Sequence, residues 1–381
     1  MFTRSHSEAI AVADIGSSGA SVAIIETEKG KPSHVLAAAR ASLPPESRTP
    51  EAAIQGVIAK LSEAGEKALK EYASRAGAVP IASSYAIIRA PWSHSKSVHA
   101  MRVFDEETNI DSGMIRELAS GALTHDKEYA PENILEATVM RVEANEYPTS
   151  KPEGKPAQTL GVAMLLSDCA PTIRAGVSEA MTRLFPGAAP SMRSGVRALL
   201  AVLRESAALP KDCLVVNMTA ETTALITVRK GIVGEQALVD VGLNTILNRV
   251  AQGRLPEEAL GLMRLLTRDQ CEDDACIAIK DAIARAEPEL VRAFGEGMGK
   301  LALRQRLPNA LILAAHEDIK PWLSQFFSRI DFTQFTTTTR PFIPRPMTHE
   351  EMTMRVVPEA GIVIDPGLAM AAALVNIESA A

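Results

Sequence analysis

The sequence is poor in aromatic residues, in net positive charge and in long apolar runs. Phe, Trp and Tyr make up 4% of the 381 residues, too few for the stacking surfaces that bind single-stranded nucleic acid. The formal net charge of -6 gives no excess of basic residues for DNA or anionic lipid. No stretch reaches the roughly 18 consecutive apolar residues of a membrane span. We therefore expect no nucleic-acid binding and no direct insertion into a membrane.

Cysteine is scarce as well. The chain has four cysteines: Cys169, Cys213, Cys271 and Cys276. No pair has the C-x2-C spacing that is typical of a zinc site, so we expect buried free thiols in a reducing compartment. Residues 1–16 pass directly into an apolar strand without the hydrophobic core of a signal peptide. Together these features predict a cytoplasmic protein.

What the sequence does contain is enough apolar material for two packed units. Hydrophobic residues account for 46% of the chain, and a chain of 381 residues exceeds the usual size of a single core. The expected class is α/β, because strand-like and helix-like segments alternate along the whole chain.

The most informative stretch is residues 10–26, IAVADIGSSGASVAIIE. Its two Val/Ile-rich arms and the Gly/Ser residues between them predict a hairpin. Asp14 would point out of the sheet toward a hydrated Mg²⁺ ion, while Gly16, Ser17 and Ser18 offer N–H groups and hydroxyls to phosphate oxygens. An ordinary surface hairpin is the alternative interpretation.

The segments after this hairpin predict a strand-strand-strand-helix-strand unit followed by a smaller module. A third strand is expected at residues 35–42, a helix from Thr49 and Pro50 to about Tyr72, and a strand at 80–89. Residues 90–168 then predict a strand, a helix capped by Asp111 or Ser112, and two further strands around a Pro/Gly turn at 146–155.

The second half repeats part of this pattern. Helices are expected at 170–184 and 191–206, and a second hairpin at 213–228. A helix then begins at Gly242, and helices fill 251–304. A strand turns into a helix at 311–319, a Thr/Pro-rich surface loop covers 333–347, and a helix closes the chain at 367–377.

The hairpin of residues 10–26 resembles the first phosphate loop of the actin-like ATPases. Residues 110–116, IDSGMIR, and 144–155, ANEYPTSKPEGK, resemble the small insert of the FtsA/PilM type, known from bacterial cell division and type IV pilus assembly. The resemblance implies an actin-like α/β fold with duplicated ribonuclease-H-like lobes and a small α+β insert, the SHS2 module, in the first lobe.

The resemblance also implies a division of the chain. The first lobe would comprise residues 1–89, continued at 169–206 and 360–381, with the insert at 90–168. The second lobe would comprise 207–250 and 305–359, with a helical side subdomain at 251–304.

In this family the nucleotide lies between two phosphate hairpins, and the second hairpin of this chain departs from the pattern. Asn217, Thr219 and Glu221 stand at its key positions. Loss of a carboxylate removes a ligand for metal-bound water, and Glu221 brings negative charge toward phosphate. Thr222, Thr223 and Gly242 remain as candidate nucleotide-contacting residues.

Two further nucleotide-contacting elements also depart from the family pattern. The Gly-Gly of the adenosine loop is replaced by Ala314 and Ala315. In the helix that contacts ribose and base, Leu260 and Met263 stand where Glu and Lys are usual. We therefore expect weak or absent ATPase activity, with Asp14 as the one residue that contacts Mg²⁺ through water and no assigned catalytic residue.

The predicted function is a cytoplasmic scaffold of the FtsA/PilM type that binds partner peptides in cell division or in pilus or secretion-machine assembly. Self-association into filaments or dimers is part of this hypothesis, as is recruitment to the membrane by a partner. The alternative is an active Mg-ATP-dependent ATPase or a sugar-kinase-like enzyme. A third hypothesis is an assembly module that keeps the fold for rigidity alone.

Overall fold

The computed structural model describes residues 8–44, 49–75, 78–126, 128–206 and 209–380. Residues 1–7 lie outside these ranges; they begin the N-terminal segment in which we expect no signal peptide. The strands are β1 (Glu8–Gly16), β2 (Gly19–Thr27), β3 (Ser33–Ser42), β4 (Ile81–Ile88), β5 (Ser93–Asn109), β6 (Ile134–Ala144), β7 (Tyr147–Thr149), β8 (Pro156–Cys169), β9 (Pro190–Ser194), β10 (Cys213–Met218), β11 (Thr223–Arg229), β12 (Ile232–Val239), β13 (Ala310–Ala314), β14 (Ile343–Pro346) and β15 (Val356–Pro358).

The α-helices of the described residues alternate with these strands. They are α1 (Pro50–Ala73), α2 (Ser112–His125), α3 (Pro171–Leu184), α4 (Gly195–Glu205), α5 (Leu243–Ala251), α6 (Pro256–Leu266), α7 (Asp274–Ala302), α8 (Lys320–Arg329), α9 (His349–Thr353) and α10 (Pro366–Ala380). Among them, none combines the length and the apolar composition that a membrane span requires.

The first hairpin is built as the sequence predicts. β1 and β2 pair antiparallel from Glu8 opposite Thr27 to Gly16 opposite Gly19. Gly19 has φ +135°, and a Cβ there would lie 2.2 Å from the Ala41 carbonyl oxygen. Only glycine fits this turn, because L residues rarely adopt that φ and a side chain would collide with β3. The turn therefore leaves only Ser17 and Ser18 between the two strands.

Two sheets repeat one topology. The first has the order β15-β3-β2-β1-β4-β9 and the second β12-β11-β10-β13-β14. In the first sheet the hairpin β1–β2 continues antiparallel into β3, and β1 pairs parallel with β4, which follows α1. In the second sheet the hairpin β10–β11 continues antiparallel into β12, and β10 pairs parallel with β13, which follows α7. The third sheet, β5-β8-β6-β7, is formed by the segment expected to be an insert.

One apolar core joins the two large sheets. It contains Val12 of β1, Val215 of β10, Leu199 of α4 and Leu374 of α10. Every residue from Gly367 to Asn376 of α10 is buried, and this helix packs against α4, β1 and β2. Residues of α4 and α10 therefore belong to the same core as residues of both large sheets.

Several segments differ from the expectations. The predicted helix at 191–206 begins only at Gly195, because Ser194 caps it by accepting a hydrogen bond from the Arg197 N–H. The preceding residues form β9, parallel to β4. The predicted loop at 333–347 contains β14, an edge strand whose prolines are tolerated there. β15, which the predicted division assigns to the second lobe, pairs with β3 of the first sheet.

The expectation of four free thiols is wrong for two of the cysteines. Cys271, in the loop before α7, and Cys276, in the first turn of α7, form a disulfide. The C-x2-C criterion does not detect a pair with four intervening residues. Cys169 and Cys213 are free and buried, and burial raises the pKa of each thiol to about 12, so both stay protonated.

Candidate functional site

A cavity of about 200 Å³ lies between the turns of the two hairpins; we call it the inter-sheet cleft. Asp14, Gly16, Ser17 and Ser18 line it from the first hairpin. The other lining residues come from the second hairpin, α5, the end of β13, α9 and the start of α10, and include Asn217, Thr219, Asn244, Ala315, His316, Met352, Asp365 and Gly367. Arg40 and Arg89 complete the lining.

Asp14 is 6% exposed and faces an arginine. Arg89 Nη1 lies 3.5 Å from Asp14 Oδ2, while Asp14 Oδ1 is buried with no hydrogen-bond partner. Burial raises the pKa of Asp14 from 3.8 to about 6, and the nearby Asp365 adds to this rise, although Arg89 and Arg40 oppose it. The carboxylate predicted to hold Mg²⁺ therefore already faces a fixed cation.

A second acid-base pair lies across the same cleft. Asp365 Oδ2 is 3.3 Å from Arg40 Nη1 and accepts a hydrogen bond from Ser21 Oγ at 2.5 Å. Its other oxygen accepts the N–H groups of Gly367 and Leu368 at the start of α10. Burial alone would raise the pKa of Asp365, but Arg40 and these hydrogen bonds hold it below its ordinary value. Asp365 is thus a stable carboxylate, unlike Asp14.

Gly367 leaves room for the contact between Asp14 and Arg89. A Cβ at Gly367 would lie 2.1 Å from Asp14 Oδ2 and 2.7 Å from Arg89 Nη1. Any larger residue would displace Asp14 or Arg89, so the backbone of α10 can lie this close to them only with glycine at position 367.

The two hairpin turns are in direct contact. Ser17 Oγ donates to Thr219 Oγ1 at 3.4 Å and accepts the Glu221 N–H at 3.3 Å. The Ser17 hydroxyl, predicted to bind phosphate, is thereby used to hold the second turn. These contacts close the cleft at the tips of both hairpins.

Thr222 and Thr223 do not line the cleft. The Thr222 carbonyl accepts the Thr219 hydroxyl at 2.9 Å, and the Thr223 hydroxyl donates to the Val241 carbonyl at 2.6 Å. Both side chains are buried. Their hydrogen bonds stabilise the second turn from within.

Gly242 also lies outside the cleft, at the N-cap of α5. A Cβ at Gly242 would lie 2.3 Å from the Ala220 carbonyl oxygen. The next two N–H groups, of Leu243 and Asn244, donate to the Thr219 and Ala220 carbonyls. The start of a helix is a common phosphate site, but here these donors bind the turn itself.

As arranged here, these residues do not fit a magnesium-bound nucleotide. The cleft of about 200 Å³ is smaller than the roughly 300–1,000 Å³ of ligand pockets. The contact between the turns occupies the place between the hairpins, and Arg89 lies against the carboxylate that would orient a hydrated Mg²⁺ ion. Within the described ranges, no cluster of three or more His, Cys, Asp or Glu side chains is placed to hold a metal.

Sequence reasoning missed Arg40, Arg89, Asp365 and Gly367. Arg89 had a usable signal: it follows a strand expected beside the first hairpin, and the ends of parallel strands meet at one edge of a sheet. Asp365 before Pro366 also reads as a helix start. Arg40 and Gly367 gave no local signal.

Comparisons with known proteins address the fold. No family model matches the chain, and no curated protein matches it. Among solved structures, it is similar to PilM in the PilM-PilN type IV pilus biogenesis complex, with a TM-score of 0.55, 17% identity and 98% of both chains covered.

Two more distant structures also match. They are the ethanolamine utilization protein EutJ from Carboxydothermus hydrogenoformans, with a TM-score of 0.41, 11% identity and 97% and 89% coverage, and a non-polymerising MamK mutant bound to AMPPNP, with a TM-score of 0.38, 9% identity and 98% and 99% coverage. Scores this low add nothing to the assignment. The likeness to PilM over nearly the whole chain, together with the duplicated sheets, confirms that the protein has an actin-like fold of the PilM type.

Proposed function

We propose that this protein is a PilM-like scaffold that binds a segment of a membrane-anchored partner in the assembly of a type IV pilus or a related secretion machine. The observation that carries the proposal is the likeness to PilM, which spans 98% of both chains and comes from a complex with PilN. The predicted division into two lobes, an insert and a helical side subdomain is part of the proposal. In this division we assign β15 to the first lobe, because it pairs with β3.

We further propose that the inter-sheet cleft is a degenerate nucleotide site that holds the lobes together. The guanidinium group of Arg89 lies beside Asp14 and provides the positive charge that a bound Mg²⁺ ion would otherwise provide. The hydrogen bonds of Ser17 to Thr219 and Glu221 link the two turns without a bridging phosphate. An active ATPase would need both contacts to open and a residue to orient water.

The cleft hypothesis is tested by titration calorimetry with ATP and MgCl₂, on the wild type and on Asp14→Asn. We expect no binding at micromolar nucleotide and no hydrolysis by either protein. Asp14 cannot serve as a hydrated-metal contact while Arg89 lies against it. Tight binding that the substitution abolishes would refute the degenerate site and favour the ATPase alternative.

The scaffold hypothesis is tested by cross-linking and purification from the native cell. We expect a single-pass membrane protein of a pilus or secretion system as the main product. A division-ring protein would instead support the FtsA-like alternative. If no protein is enriched over a control bait, the scaffold proposal fails.

Cytoplasmic location, recruitment to the membrane through the partner and self-association belong to the same proposal. The Cys271–Cys276 disulfide departs from the thiol state that a reducing cytosol favours. Sedimentation velocity at high protein concentration tests for filaments or dimers.

A further inference from the structure

The end of the second sheet that lies away from the inter-sheet cleft carries a cluster of basic residues. β10 and β13 run parallel, and both reach the cleft near their C-terminal ends, since Asn217 and Ala314 line it. Their first residues, the turn between β11 and β12 and the start of β14 therefore form the opposite edge. We call this surface the basal patch; it comprises Lys211, Arg229, Lys230, Leu303, Arg304, Arg306, Arg340 and Ile343.

Hydrogen bonds connect these residues, although they come from separate segments of the chain. Arg229 Nη2 donates to the Arg306 carbonyl. Asn309, at the start of β13, donates through its side-chain amide to the Arg340 carbonyl at 2.7 Å. Neighbouring strands lie about 4.8 Å apart, so the five strands of this sheet give the patch a width of roughly 20 Å.

Most of the positive charge of the basal patch is uncompensated. Two acidic side chains take part in its contacts. Asp212 accepts the Lys230 main-chain N–H at 2.6 Å, and Glu235 Oε1 lies 2.5 Å from Arg304 Nη1. Five basic side chains have no carboxylate at ion-pair distance among the residues that the structure describes: Lys211, Arg229, Lys230, Arg306 and Arg340. The net charge of -6 conceals this patch, because only the fold gathers its members on one surface.

Two large aliphatic side chains project from the same surface. Leu303, at the C-cap of α7, is 86% exposed, and Ile343, the first residue of β14, is 69% exposed. Leu303 directly precedes Arg304, and the Ile343 N–H donates to the Asn309 carbonyl at 2.9 Å. Exposed aliphatic side chains among lysines and arginines suit a membrane interface, where apolar groups enter the headgroup region and cations meet anionic lipids.

A nucleic acid fits this surface less well than a lipid does. Sites for single-stranded nucleic acid stack the bases on aromatic side chains. Phe342, next to Ile343, is 3% exposed and belongs to the core of the second sheet. The side chains that project between the cations are aliphatic, and they gain nothing from contact with a sugar-phosphate backbone.

We propose that the basal patch contacts an anionic lipid surface. Its lysine and arginine side chains meet the headgroup phosphates, and Leu303 and Ile343 enter the headgroup region. The contact is peripheral and requires no membrane span. The inter-sheet cleft, at the other end of the second sheet, then faces away from the lipid. The choice of the cytoplasmic leaflet rests on the proposed function, whereas the contact itself requires no partner.

Co-sedimentation with vesicles tests the contact on the purified full chain. The probes are vesicles of phosphatidylcholine and phosphatidylglycerol in equal parts, and vesicles of phosphatidylcholine alone. The wild type should bind the neutral vesicles at least about tenfold more weakly than the anionic ones, and added salt should weaken its binding to the anionic vesicles. Equal binding to both, or no binding to the anionic vesicles at low salt, would overturn the inference.

Charge reversal locates the contact on the protein. Lys211→Glu with Lys230→Glu should weaken binding to the anionic vesicles at least about tenfold, because each basic residue near a charged bilayer contributes about fivefold. The matched control is Lys280→Glu with Arg285→Glu, which reverses two exposed cations of α7 that lie at least roughly 27 Å along the helix from Leu303. The control should stay within about twofold of the wild type. Equal weakening by both variants would show that net charge alone decides, and the patch would be excluded.

A second pair of variants tests the aliphatic side chains. Leu303→Ser should weaken binding to the anionic vesicles about fivefold. Its control, Ile277→Ser, removes another exposed aliphatic side chain of α7 and should bind as the wild type does. Circular dichroism confirms that all variants fold. If Leu303→Ser binds unchanged, or if single-stranded or duplex DNA binds more tightly than the vesicles, the surface is not a lipid contact.

Failure of this inference is distinguishable from failure of the scaffold proposal. If a pilus-type membrane protein is cross-linked in the native cell but the purified protein binds no vesicles, the scaffold stands and the inference fails. If the protein binds anionic vesicles through the basal patch but no partner is cross-linked, the inference stands and the scaffold fails. If both results are positive, both proposals are supported.

Discussion

Replacing Asp14 by asparagine should stabilise the protein at neutral pH. The pKa of Asp14 rises from 3.8 in the unfolded chain to about 6 in the folded protein, chiefly through burial. Between these two values the folded state binds more protons than the unfolded state, so the free energy of unfolding falls as pH rises from about 4 to about 6. The asparagine side chain of the Asp14→Asn variant would keep the shape of the protonated acid without that penalty.

The size of the effect follows from the pKa. At about 1.36 kcal/mol per unit of pKa, the rise from 3.8 to about 6 corresponds to about 3 kcal/mol. We therefore expect Asp14→Asn to exceed the wild type by about 3 kcal/mol at pH 8 and to match it near pH 4. Below pH 4 the carboxyl is protonated in both states and the difference disappears.

Urea unfolding at a series of pH values measures this difference. Of the two tryptophans, Trp92 lies in the core of the first sheet and Trp322 in that of the second. A Trp322→Phe background makes the fluorescence report on the sheet that carries Asp14. This matters because a chain with two cores need not unfold in one step.

Asp365→Asn is the matched control, because the pKa of Asp365 is lowered in the same cleft. Its carboxylate stabilises the fold above the unfolded pKa, so this substitution should destabilise at pH 8 and have less effect at low pH. If Asp14→Asn is no more stable than the wild type at pH 8, or if its advantage does not shrink on acidification, then Asp14 is not a buried, under-compensated carboxylate and the argument fails.

Two further pairs of substitutions test packing and burial elsewhere by urea unfolding. Gly367→Ala should destabilise by about 1–3 kcal/mol, since its Cβ would lie 2.1 Å from Asp14 Oδ2. Gly261→Ala, with no atom within 4 Å of its Cβ, should instead stabilise by about 0.5–1 kcal/mol. Glu136→Leu should destabilise by about 1–3 kcal/mol, because the buried Ser194 N–H would lose its acceptor; Glu136→Gln keeps that acceptor and removes a carboxylate whose pKa burial raises, so it should be the more stable of the two. If Gly367→Ala is as stable as Gly261→Ala, the packing argument is wrong. If Glu136→Leu is as stable as Glu136→Gln, the argument about the Ser194 N–H is wrong.

Local patterns predicted most elements of the fold. Thr49 caps α1 and Asp111 caps α2, as their sequence positions before Pro50 and Ser112 indicate. The Val/Ile-rich arms of the first hairpin and the Gly/Ser residues between them predicted that β1 pairs with β2. Such features depend on neighbours within a few residues, which the sequence displays directly.

The chemistry of the cleft could be predicted only in part. Asp14 and Ser17 were identified because they lie in a recognisable turn. Their partners lie far away in the chain: β4 pairs beside β1 and brings Arg89 to Asp14, and the core shared by the two large sheets brings Glu221 to Ser17. The start of α4 was missed for a similar reason: residues 190–194 are polar enough to begin a helix, but β4 offers them a parallel partner.

The duplicated sheets place unlike residues at equivalent points, and this asymmetry bears on how the lobes are held. Asp14 ends one strand and Asn217 the other, so only one wall carries a carboxylate, and Arg89 lies against it. From the opposite wall, the Glu221 N–H donates a hydrogen bond to Ser17 Oγ. Contacts within the protein therefore set the distance between the turns. Because these contacts need no bridging phosphate, binding of a partner should not depend on added nucleotide.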